Sequence, residues 1–131
     1  MTAENIMAAV IVCISMLPII IIGIVQCRSK EPVGFWNLMQ PPKREQVTDV
    51  KAYNRKHGIM WLIYGIGFLL CFFCGWPFGG GVAAILSGVE CIGGIFVMIL
   101  YHNRLDRRYL KKEKEYRAWK YGIAALCNLT N

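Results

Sequence analysis

The chain has 131 residues, 56% of them hydrophobic and 18% charged, with a net charge of +7. That length holds one domain. Soluble domains average about a quarter charged residues. The balance therefore excludes a disordered chain or an ordinary soluble domain and points to an all-α integral membrane protein, a single membrane domain over residues 1–131.

From the amino terminus, Asn5 to Cys27 carries no charged residue. A spanning helix needs about 20 apolar residues, so the first span is predicted at residues 6–25. The residues before it include Glu4 and no Lys or Arg, unlike a signal peptide, so the span is expected to be retained. Pro18 removes a backbone hydrogen bond within it and is expected to kink the helix.

Residues 26–57 form a loop that is unusually apolar at its start. Phe35, Trp36, Leu38 and Met39 have the character of side chains that rest in a membrane interface. Pro41-Pro42 stops any helix there. Thr48 or Asp49 then supplies a cap for a helix that runs through Lys51, Tyr53, Asn54, Arg55 and His57 into the second span. Lys51 and Arg55 are one turn apart and suit anionic headgroups. A sharper reading makes Asn54, Arg55, Lys56 and His57 a site for an anion or a partner.

Gly58 to Val89 is again uncharged, broken only by Trp76-Pro77-Phe78-Gly79-Gly80-Gly81. Proline and glycines make a tight turn. The second and third spans, 58–76 and 82–101, are thus predicted to form an antiparallel hairpin. Small residues at four-residue spacing, Gly67, Cys71 and Gly75 against Gly80, Ala84 and Gly88, are expected to face each other across it.

Glu90 lies inside the third span, where a charged carboxylate is costly and needs a proton, a hydrogen bond or water. Ser87 shares its face, and Tyr64 of the second span is a candidate partner. That face is expected to look toward the first span or another subunit. Functionally, Glu90 suits a cation or proton site; structurally, it suits a polar latch at an oligomer seam. Cys71 and Cys74 are spaced i,i+3 on one helix, which suits packing better than a disulfide.

All 15 Lys and Arg lie in the 26–57 loop or after residue 103. Positive loops stay cytoplasmic, so the N-terminus is predicted outside, with the 26–57 loop and the 102–131 tail cytoplasmic. This topology accounts for the net charge without nucleic acid. His57 and His102 then sit at the same interface. Two histidines are too few for a structural metal site, although Asp106 lies one turn beyond His102. No metal and no cofactor is expected. The tail is read as a continuing amphipathic helix carrying Leu105, Tyr109, Tyr116, Trp119 and Ile123 along one face.

Val33-Gly34-Phe35-Trp36, Pro41-Pro42-Lys43, Val47 through Arg55, Trp61 and Gly65-Ile66-Gly67-Phe68 resemble uncharacterised small multi-pass membrane proteins of Firmicutes. More distantly, the layout is similar to immunity proteins of the sporulation-delaying-protein type. It departs from them in having no Arg close after Gly34 and a long stretch before Tyr53. The resemblance implies a bacterial cytoplasmic membrane and a protein of binding or regulatory type that protects against a membrane-active peptide. The composition leaves two alternatives. One is a homo-oligomeric ion or proton channel, small transporter or holin-like pore using Glu90. The other is a lipid-directed enzyme, for which no nucleophile–base pair is visible.

Overall fold

The computed structural model describes residues 3–35 and 41–111. Three long helices dominate them: α1 (Ala3–Arg28), α2 (Val50–Gly75) and α3 (Gly80–Tyr109). Each is long and apolar enough to cross a membrane. Single 3-10 turns cover Arg44–Gln46 and Trp76–Phe78. Large apolar side chains such as Ile11, Leu17, Ile63, Ile85 and Phe96 are exposed around all three helices. Water would penalise that surface, whereas lipid accepts it.

α2 begins where its cap allows. The Asp49 carboxylate accepts from the Ala52 amide at 3.0 Å, and the helix then runs unbroken into the predicted span. α1 likewise passes through Pro18 as one helix.

α2 is the middle of the bundle: α1 and α3 both pack on it and barely touch each other. The α1–α2 crossing depends on two glycines. A Cβ on Gly23 would lie 2.9 Å from the Gly58 carbonyl oxygen, and a Cβ on Gly58 would strike the Gly23 carbonyl. Between membrane helices such close backbone approach supplies the packing that the hydrophobic effect cannot.

The α2–α3 hairpin closes through Trp76–Phe78 and Gly79, whose φ of 106° is open to glycine at little cost. Just beyond the turn a Cβ on Gly75 would come within 2.6 Å of the Ala83 Cα. This contact sets the rotation of α3. Ala83, Ser87, Met98 and Leu105 are its buried residues, and Gly94 lies against Tyr64. The Ser87–Glu90 face therefore looks at α2, correcting the expectation that it faces α1 or another subunit. Gly80 and Gly88, expected in the hairpin seam, have open space where a side chain would stand.

At the basic end the loop is tied to both helices. Asn54 of α2 accepts from the Val33 amide at 3.0 Å and donates to the Ser29 and Glu31 carbonyls at 3.0 and 2.7 Å. Further on, Val47 forms an isolated antiparallel bridge with Leu110. The Thr48 amide donates to the Tyr109 carbonyl at 2.9 Å, as does its hydroxyl at 3.0 Å, and the Lys111 amide donates to the Gln46 carbonyl at 2.8 Å. These bonds capture the end of α3 and turn Leu110 extended. α3 therefore ends at Tyr109, eight residues into the predicted tail helix. Its predicted continuation through Tyr116, Trp119 and Ile123 lies outside the described residues.

Candidate functional sites on the α2–α3 pair

The first site is a groove between α2 and α3. Glycine makes it: Gly94 lets the Tyr64 ring lie where a Cβ would be 2.7 Å from it, and Gly67 leaves room for Glu90. The result is a cavity of about 350 Å³ lined by Ile59, Ile63, Val97, Met98 and Tyr101 together with Tyr64 and Glu90. Its lining is almost wholly apolar except for the carboxyl group.

Polar atoms along this seam lack partners. Glu90 Oε2 and Ser87 Oγ are buried without a hydrogen bond, as is Trp61 Nε1 nearby. Tyr64 lines the groove with Glu90 but donates its hydroxyl proton to Cys91 Sγ at 3.7 Å instead. The three residues expected to form an intramembrane polar site thus lie on one seam, without a bond among them. Buried polar atoms without partners are costly, and each one calls for an explanation.

The second site is a polar cluster at the basic end. Residues equidistant from the Gly79 turn meet across the hairpin, which brings His57 to His102 and Tyr53 to Asp106. His57 Nε2 and His102 Nδ1 are 3.1 Å apart, and His102 Nε2 lies 3.4 Å from Asp106 Oδ2. Tyr53 donates its hydroxyl proton to Asp106 Oδ1 at 3.0 Å. Phe35, expected in the membrane interface, stacks on the His102 ring at 4.6 Å between centroids. His57 and Asn54 are wholly buried.

The contacts fix a proton pattern for neutral rings. When His102 gives its Nε2 proton to Asp106, its Nδ1 accepts from His57 Nε2. His57 Nδ1 is then a bare lone pair, buried and without a partner.

The remaining sequence candidates divide by face. Lys51 and Arg55 are exposed and, with Lys56, Asp49 and Ile59, line a shallow groove on the outside of α2. Asn54 and His57 point the other way, into the bundle. The helix therefore splits the proposed Asn54–Arg55–Lys56–His57 set into an outer basic face and an inner polar one. Trp36 lies outside the described residues. Cys71 and Cys74 are free thiols. Tyr53 and Phe35, not singled out from sequence as site residues, complete the inner cluster; counting outward from the turn would have found Tyr53 opposite Asp106.

No protein-family model, curated protein or solved structure matches the chain.

Proposed function

We propose that this chain is a multi-pass protein of a bacterial cytoplasmic membrane, N-terminus outside and C-terminus inside, that acts by binding. In this reading the α2–α3 groove holds an apolar partner carrying a hydrogen-bond donor or positive charge, and Glu90 receives that group. One observation carries the proposal: Glu90, which lines an otherwise apolar cavity, has a carboxyl oxygen buried without a partner. Intramembrane acids of this kind are functional by default. A membrane-active peptide, apolar and basic, has the matching chemistry. That agrees with the immunity role implied by the sequence resemblance. In this reading the basic residues of the loop and tail meet anionic headgroups on the cytoplasmic side.

Dodecylamine is a minimal probe of this chemistry, and dodecanol a neutral control. In lipid nanodiscs, dodecylamine is expected to raise the thermal unfolding midpoint of the wild type more than dodecanol does. Glu90→Gln is expected to remove the difference, and Val97→Trp, which fills the cavity, to remove both effects. Equal responses to amine and alcohol, unchanged by Glu90→Gln, would refute the reading. The alternative, a homo-oligomeric channel using Glu90, requires a second copy against this groove. Native mass spectrometry of wild type and Glu90→Leu separates the two, since only the channel needs an oligomer that the variant disrupts.

A further inference from the structure

The cluster at the basic end has a chemistry that the groove does not use. His57 and His102 offer imidazole nitrogens from two different helices, and Asp106 adds a carboxylate one turn beyond His102. One ligand atom from each lies within 4.8 Å of the other two. We propose that His57, His102 and Asp106 form a binding site for one divalent transition metal ion of the zinc class. This goes beyond the binding role of the groove and does not depend on it.

The donor set and spacing both point to such an ion. Imidazole with carboxylate suits zinc and its neighbours, whereas magnesium and calcium favour oxygen alone. Two ligands about 2.0–2.1 Å from zinc at the tetrahedral angle stand roughly 3.3–3.4 Å apart. His57 Nε2 and His102 Nδ1 are already 3.1 Å apart. Opening this pair by a few tenths of an ångström, turning the two rings to converge and bringing the Asp106 carboxylate round from the Nε2 edge of His102 would admit the ion, which takes the place of the proton between the rings. His57 then keeps its one ring proton on Nδ1.

The surroundings resemble those of a prepared ligand set. His57 is wholly buried, with its Nε2 turned to His102 Nδ1. The Phe35 ring covers one face of His102, and the Tyr53 hydroxyl fixes the carboxylate from behind. Such outer groups orient ligands and tune affinity. A way in remains, because the side chains of His102 and Asp106 are 14% and 31% exposed. From sequence, two histidines are too few and Asp106 is the candidate third ligand; the hairpin brings all three together in space.

The test uses the full-length protein in detergent, stripped with a chelator and titrated with Co²⁺ and then Zn²⁺. One Co²⁺ per chain is expected, giving the intense visible bands of a four-coordinate site, with Zn²⁺ displacing it. His102→Phe is expected to abolish these bands. Asp106→Asn is expected to weaken binding at least about tenfold, and Tyr53→Phe by about tenfold. Zn²⁺, but not Mg²⁺, should also raise the thermal unfolding midpoint of the wild type, a readout that needs no variant. Cobalt bands no stronger than those of the free aqueous ion would overturn the proposal. So would a His102→Phe protein that binds like wild type, or a wild-type midpoint that Zn²⁺ leaves unmoved.

Discussion

The two ends of the α2–α3 hairpin treat buried polarity in opposite ways. At the basic end, His57 Nδ1 and Gln26 Oε1 aside, the buried polar groups are paired: Asn54 makes three hydrogen bonds to the loop, and Tyr53, Asp106, His102 and His57 form a continuous chain. Nearer the turn, Ser87 and Glu90 each bury an oxygen without a partner. A polar group that the fold satisfies is part of the fold's own construction. One that it leaves open is a place for something else. The contrast separates residues whose loss should unfold the protein from residues whose loss should only silence it.

That separation can be broken or sharpened by substitution. The largest effect is expected for Asn54→Leu, which strands the Val33 amide and the Ser29 and Glu31 carbonyls. At roughly 1 kcal/mol per hydrogen bond the loss is about 3 kcal/mol, readable by denaturant unfolding in detergent. Next comes a matched pair of glycines on α3. Gly94→Ala forces a methyl group into the Tyr64 ring and should cost about 2 kcal/mol by overpacking. Gly88→Ala meets open space and should cost nothing, gaining at most about 1 kcal/mol of helix stability. If the two glycines respond alike, the rotation assigned to α3 is wrong. The smallest effect on stability is expected for Glu90→Gln, within about 0.5 kcal/mol, because the amide keeps the shape of the carboxyl and its buried Oε2 has no hydrogen bond to lose. An Asn54→Leu protein as stable as wild type would contradict the division between the two ends.

Much of this arrangement is legible in the sequence. The uncharged runs mark the helices, Asp49 marks the start of α2, and Trp76-Pro77-Phe78-Gly79 marks the turn. The meeting of His57 with His102 follows from antiparallel pairing alone. The rotation of α3 is harder to read, because both of its faces are apolar and both carry small residues. In lipid there is no polar-to-apolar contrast to separate a packed face from an exposed one. The seam was therefore expected at Gly80, Ala84 and Gly88, one residue away from the Ala83–Ser87 face. A shift of one residue turns a helix by about 100°. Registering the pairs from the turn resolves it: Gly75 with Ala83, Gly67 with Glu90, Tyr64 with Gly94. The Val47–Leu110 bridge had no local signal, since it joins segments far apart in the chain whose pairing only the assembled bundle brings about. Asn54 as the clamp of the loop was hidden for the same reason.

The central claim is that the open carboxyl of Glu90 receives the charged or donor group of a groove ligand. Infrared difference spectroscopy on nanodiscs, recorded before and after dodecylamine, reads that carboxyl directly. Subtracting the Glu90→Gln response from the wild-type response isolates it from the other glutamates. The account predicts a carboxyl band that changes on amine addition in the wild type and is missing in Glu90→Gln. Identical difference spectra for the two proteins, with amine bound to both, would contradict it.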